Sequence, residues 1–371
     1  MIEGFINLSL PLKRLGFMKV IVFLTNSSSS MYTSQLITRY KETVRQYRKE
    51  FEWNKDPDTG LSVPGSGIGK PDIPPNDDNI AVDHVLLAQS LGFIRREVNI
   101  WRRYGWHLAS QYLDGRGKPL FLDLPKREEM LKSKGLIAKL PRSEQFIFFN
   151  ALLYSDIDGI IPLLECLDNR TTSELREQYF DAVSRWYDRK SRLEPNPTRR
   201  YFYSGEKARF AKKENEGGYS KIHRESQIYP RLHFLTDVGV IAKNASNYEL
   251  SELGKDFKKQ WLSLDDKEVY KMLDEKEITL GILLADCYNN GLGEVTSEEF
   301  EHMFYRISVF YKYIGLIMIP YEDLYFSMVA FALNVSKSLS FPKYKVMLEK
   351  LARARNYDLS TNMPGRRYIR T

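Results

Sequence analysis

Apolar residues at three- and four-residue steps, Leu36, Ile37, Tyr40, Val44, Tyr47 and Phe51, give residues 34–51 the stripe of an amphipathic helix with a basic outer face. The pattern stops at 54–80, where Pro, Gly and Asp predict a long loop, with order resuming near Ile80. Upstream, Leu15 to Leu24 forms an apolar run after Lys13 and Arg14 and predicts a buried strand. Gly16 and Lys19 interrupt it and no small-residue cleavage pattern follows, so a leader is not expected. Ser143 to Asp168 predicts two short helices broken around Asp156-Ile157-Asp158-Gly159. Thr171 with Glu174 spells a capping box for a helix running to about Lys190. Thr296 with Glu299, flanked by Val295 and Phe300 as a hydrophobic staple, starts another that continues through Met303, Phe304, Ile307, Phe310 and Tyr311, with a turn near Tyr305 as one reading. Residues 191–222 carry too many Pro, Gly and charged positions for a packed element and predict an exposed basic loop.

An approximate unit recurs: an amphipathic helix, a Gly at its end, a short apolar strand, a polar turn, then a second strand or helix. Its cores are Leu91-Gly92-Phe93-Ile94, Lys134-Gly135-Leu136-Ile137, Val238-Gly239-Val240-Ile241 and Ile314-Gly315-Leu316-Ile317. Gly in such a place ends a helix in the left-handed conformation without a Cβ penalty. Two copies extend further. Gly239 leads through Tyr248-Glu249-Leu250-Ser251 to Gly254 and a helix from Lys255 to Trp261, and Gly92 leads through Ile100-Trp101-Arg102 to Gly105 and a helix from Trp106 to Leu113. At the C-terminus, a helix from about Tyr344 to Asn356 precedes a strand from Tyr357, a turn at Thr361 to Gly365, and a strand Arg366 to Arg370.

This pattern resembles the second half of a winged helix-turn-helix domain, in which a recognition helix runs into a two-stranded wing and a closing helix. The resemblance implies a mainly α chain with small β-hairpins, an α+β fold of tandem winged-helix units joined by helical segments. It divides the chain into a poorly defined segment 1–33, a unit 34–142 with its long loop, a central unit 143–265 with a basic loop at 191–224, and a unit 266–371 with a basic tail. It also implies that Tyr229-Pro230-Arg231-Leu232-His233-Phe234-Leu235 begins or forms a recognition helix, with Pro230 in its first turn. His84 to Ser90 is then its counterpart in the first copy.

Charge sharpens the picture. The chain carries a net +7, and residues 199–231 alone hold nine Lys or Arg against four Glu. Residues 343–371 hold eight against Glu349 and Asp358, which leaves the rest of the chain net negative. Positive charge so focused is what a polyanion-binding surface needs. Tyr201, Phe202, Tyr203, Phe210 and Tyr219 in the first segment, and Tyr344, Tyr357 and Tyr368 in the second, put stacking groups among the cations. The expected contacts to double-stranded DNA are Arg199, Arg200, Lys207, Arg209, Lys212, Lys213, Lys221, Arg224, Tyr229 and Arg231, with Lys345, Arg353, Arg355, Arg366, Arg367 and Arg370 from the tail.

The search for chemistry returns little. His84, His107, His223, His233 and His302 show no close metal-ligand spacing among themselves or with Cys166 and Cys287, which predict buried thiols of a reducing compartment, hence a cytoplasmic protein. Gly65-Ser66-Gly67-Ile68-Gly69-Lys70 departs from a phosphate loop at Pro64 and Pro71. Nuclease carboxylates would have to come from Asp156 with Asp158, or from Asp123, Glu128 and Glu129 with Lys132. Neither set has the strand context for it, and no catalytic residue, cofactor or membrane contact is expected. The reading is a non-catalytic DNA-binding regulator, or the recognition component of a restriction, phage-defence or mobile-element assembly with other protein subunits. A protein-interaction scaffold is the alternative, and a nuclease subunit the third choice.

Overall fold

The computed structural model describes residues 14–47, 50, 76–133, 136, 139–167, 170–212, 216, 220–244, 247–274, 276–363 and 366–370. Among the described residues the first elements are α1 (Phe17–Leu24), α2 (Thr33–Gln46), α3 (Asn76–Ser90), α4 (Arg103–Ala109) and α5 (Leu124–Leu131). The middle comprises α6 (Arg142–Cys166), β1 (Arg170–Thr171), α7 (Thr172–Leu193), α8 (Pro197–Ala211), α9 (Lys221–Asp237), β2 (Ile241–Asn244), β3 (Asn247–Leu250), α10 (Glu252–Leu262), α11 (Asp266–Asp274) and α12 (Lys276–Asn289). The last part runs β4 (Gly293–Glu294), α13 (Ser297–Tyr313), β5 (Met318–Pro320), α14 (Tyr321–Asn334), β6 (Lys337–Ser338), α15 (Phe341–Arg355), β7 (Asp358–Met363) and β8 (Arg366–Arg370). The fold is mainly helical, with strands confined to small sheets.

Helix α6 is the axle. It is buried on nearly every side, and α4, α7, α9, α12 and α14 all pack on it, so one continuous core runs from Leu15 to Ile369. It is also the one helix among the described residues long and apolar enough to cross a membrane, and 94% of that apolar window is buried inside the protein, as a core helix requires. The expected break at Asp156 takes the form of a kink within a single helix, with φ −134° and ψ 32° at that residue.

Two three-stranded sheets are built alike. The order β1-β3-β2 follows helix, strand, helices and hairpin in α6 to β3, and β5-β8-β7 repeats that scheme from α13 to β8. The first part of the chain follows it with backbone bridges alone: Ile94 pairs with Trp101, and the Trp101 amide donates to the Asn26 carbonyl at 2.9 Å. Three helices that lead into hairpins end the same way. At Gly92 and Gly239, φ is +74°, and the next amide reaches back five residues, Phe93 to the Ala88 carbonyl and Val240 to that of Leu235, both at 2.9 Å. In the third case the left-handed residue is Asn356, φ +53°, and the Tyr357 amide donates to the Ala352 carbonyl at 3.0 Å. Gly315, φ +83°, ends α13 in the same way, with the Leu316 amide donating to the Tyr311 carbonyl at 2.9 Å ahead of β5, whereas the helix that leads into the β7–β8 hairpin ends at Asn356. The Gly135 copy lies outside the described residues.

The closing helices explain two further glycines. A Cβ on Gly105 would lie 2.2 Å from the Phe93 carbonyl oxygen, and one on Gly254 2.1 Å from that of Val240. Each therefore lets its helix seat directly on the hairpin that precedes it.

Both capping boxes form, and α13 runs unbroken past Tyr305. Other expectations are corrected. Leu15 to Leu24 gives helix α1, not a strand, because a segment buried on all sides carries no periodicity to tell the two apart. Residues 197–211 form α8 and not a loop. Asn196 Oδ1 caps it by accepting from the Thr198 and Arg199 amides, Pro197 takes the first turn, and Tyr203 and Phe210, seven residues apart, pack on α7. Pro230 sits in the middle of α9 and not in its first turn. α3 begins at Asn76, four residues before the expected return of order at Ile80.

Candidate nucleic-acid interface

The expected recognition residue Arg231 is fully buried. Its Nε donates to Asp156 Oδ2 at 2.7 Å, Nη2 to Oδ1 at 2.8 Å, and Nη1 to the Gln227 carbonyl at 2.6 Å. Gly159 admits it, since a Cβ there would stand 2.2 Å from Nε. Beside it Asp158 accepts from Lys190 Nζ at 2.9 Å and from Trp186 Nε1 at 2.7 Å. Arg231 is therefore a core residue. The α9 positions from Gln227 to Asp237 are buried or half-buried, Tyr229 among the latter, because α9 packs on α6, α7 and β2 at once. No groove-reading face is left on that stretch.

Three of the carboxylates weighed for catalysis make structural contacts. Asp156 and Asp158 hold α9 and α7 to the axle, and Asp123 caps α5 by accepting from the Lys126 amide.

Helix α8 keeps its cations on the surface, but neighbours engage them. Lys207 Nζ is 2.7 Å from Asp188, Arg209 is 3.6 Å from Glu206, Arg199 is 3.9 Å from Glu194, and Arg200 donates twice to the Glu194 carbonyl. Lys212 is exposed, and Tyr201 stands 83% exposed on the same helix. Lys213 lies outside the described residues, as do the side chains of Lys221, Arg224, Arg366, Arg367 and Arg370.

Helix α15 is different. Tyr344, Leu348, Leu351 and Ala352 are buried, with the Tyr344 ring against Tyr321, Tyr325 and Phe341 and its hydroxyl donating to the Tyr321 carbonyl. Lys345, Val346, Glu349, Lys350 and Arg353 form an exposed stripe on the other side, at the three- and four-residue steps of one helix face. Lys345 lies over the Phe341 ring at 4.7 Å, and no ion pair holds Lys350 or Arg353 among the described residues. Arg355 pairs with Glu301 and Lys343 with Glu294, both off the stripe. Directly after the Asn356 cap the hairpin β7–β8 begins, anchored by Ile369 against Ile319 of β5. Lys350, absent from the expected contacts, lies three residues before Arg353 and so shares its helix face.

A cleft of about 540 Å³ lies between α10, α12 and the β4–β6 pair. Asp256, Asp286 and Glu294 line it against the single cation Lys259, so it does not suit phosphate. The chain matches no family model, no curated protein and no solved structure.

Proposed function

We propose that the chain binds double-stranded DNA through a winged-helix unit formed by α13, β5, α14, α15 and the β7–β8 hairpin. On this reading it is a non-catalytic recognition protein, a regulator or the DNA-reading part of a larger defence or mobile-element assembly. The observation that carries the reading is the exposed Lys345, Lys350 and Arg353 face of α15, continuous with a hairpin in the first-third-second strand order of a winged helix. A helix with one buried and one basic exposed face can lie in the major groove while a hairpin follows the backbone. The cations of α8 add a second, partly neutralised surface for phosphate.

The test is duplex binding by the full chain over a salt series. Replacing Lys345, Lys350 and Arg353 by Ala lowers affinity by about tenfold or more and flattens the salt slope by about two to three, with the melting temperature nearly unchanged. The triple variant Arg366→Ala, Arg367→Ala, Arg370→Ala behaves in the same way. Wild-type binding that is absent, or indifferent to salt, refutes the reading. The scaffold reading is favoured by Tyr313, Ile317 and Met318, which are 48, 63 and 37% exposed at the end of α13 and the start of β5. It predicts that these residues, and not the cations, govern partner binding.

A further inference from the structure

The hairpin of the first unit carries a cation cluster that the α15 reading leaves unused. Arg95, Arg96 and Arg102 are all exposed, and none forms an ion pair among the described residues. Arg103, the next residue, is turned inward onto Asp323 of α14.

The turn that presents them is rigid. Glu97 and Asn99 both have positive φ, +73° and +48°, a region Asn tolerates and other side chains such as that of Glu97 enter uncommonly. Asn99 is fully buried and does the holding. Its Nδ2 donates to the Met31 carbonyl at 2.9 Å and to Thr33 Oγ1 at 3.0 Å, while its Oδ1 accepts from Gln89 at 2.8 Å. Trp101 Nε1 adds a bond to the Val22 carbonyl at 3.0 Å. A turn pinned from below in this way presents its arginines at small entropic cost on binding.

The first unit is also locked to the third. Besides the pair of Arg103 with Asp323, His107 Nδ1 and Ser327 Oγ meet at 2.8 Å, and Arg306 of α13 donates to the Leu113 carbonyl at 2.8 Å. The hairpin therefore stands at a fixed distance from α15. The central hairpin lacks the feature, since its exposed or half-exposed charges are Lys243 and Glu249.

We infer that Arg95, Arg96 and Arg102 form a second phosphate-contacting wing, which grips the backbone of the duplex engaged by α15. The inference rests on the DNA-binding reading above, and it makes the protein a bipartite binder in which the first hairpin adds a phosphate contact to those of α15.

The experiment measures duplex affinity and salt slope for wild type, for the α15 variant, and for Arg95→Gln, Arg96→Gln, Arg102→Gln, with a thermal melt of each. The hairpin variant is expected to melt like wild type, to bind about tenfold more weakly, and to lose about two to three from the salt slope. Unaltered affinity and slope in it, with the α15 variant defective, overturn the second wing and leave the α15 reading standing. A defect in the hairpin variant alone removes α15 from the interface and overturns the shared grip on one duplex. No salt-dependent binding by wild type sinks both.

Discussion

Arg231 tests whether the buried charges are structural. Its guanidinium makes a two-pronged pair with Asp156 inside the core, where neither group has water to replace its partner. Arg231→Ala leaves the Asp156 carboxylate buried and bare, and removing one partner of such a pair costs about 3–5 kcal/mol. Against a total stability of about 5–15 kcal/mol this is a large fraction, and at about 2 °C per kcal/mol the melting temperature falls by roughly 6–10 °C. Gly159→Ala has the same sign, because a Cβ 2.2 Å from Nε displaces the guanidinium from its seat. The double variant Asp156→Leu, Arg231→Met removes both charges together and returns to within about 1 kcal/mol of wild type or above it. Denaturant titrations of Asp156→Leu, Arg231→Met and the double give the coupling directly. DNA affinity of Arg231→Ala, measured well below its melting point, stays at the wild-type value. Singles that cost less than about 1 kcal/mol, or a folded Arg231→Ala that has lost DNA binding, refute the core assignment.

Two further outcomes follow from named contacts. His84 is buried with its Nδ1 at 2.9 Å from the Tyr40 hydroxyl, and burial depresses its pKa to about 3. The unfolded chain takes up that proton near the ordinary pKa of about 6.5 and the folded one does not, so the contribution is whole above about 6.5 and declines as pH falls toward 3. Between pH 7 and pH 5 the stability gap between wild type and His84→Gln narrows by about 2 kcal/mol, and a constant gap in urea titrations at the two pH values rules this out. Gly254→Ala places a Cβ 2.1 Å from the Val240 carbonyl and must push α10 off its hairpin. Its cost exceeds the roughly 1 kcal/mol gained or lost in ordinary helix substitutions, and a melting temperature equal to wild type counts against the close approach.

The elements that could be read from the sequence are those whose cues are local. The boxes at Thr171 and Thr296, the left-handed glycines at Gly92 and Gly239, and the hairpin after Asn356 each depend on a few adjacent residues. What was misread depends on distant partners. The strand reading of α1 failed because α1 is covered on every face, with even Lys19 buried at 2.8 Å from Glu144. The loop reading of 191–222 counted Pro and charge but not the Tyr203 and Phe210 pair that seats α8 on α7. The same blindness affects the site. Arg231 and Arg353 look alike in a charge count, and only the position of Asp156, 75 residues away, makes one a core residue and the other a surface one.

On the proposed DNA-binding reading, the differences among the three helix–hairpin segments argue for a division of labour. A helix that precedes a hairpin can read DNA only if one of its faces is free of protein. From Gln227 to Asp237, α9 has no fully exposed position, since it packs on α6, α7 and β2 and the buried Arg231 pair fixes it there. α15 has kept such a face, and its buried residues Tyr344 and Leu348 leave the opposite stripe to cations. In the first unit α3 is mostly buried, with Leu86 exposed at 47%, while the turn after it carries arginines. Losing the helix face and keeping the wing is consistent with backbone gripping, which needs charge at a fixed place and no base contact. The expected consequence is an interface in which sequence preference comes from α15 alone and the first unit adds affinity without changing which sequence is chosen.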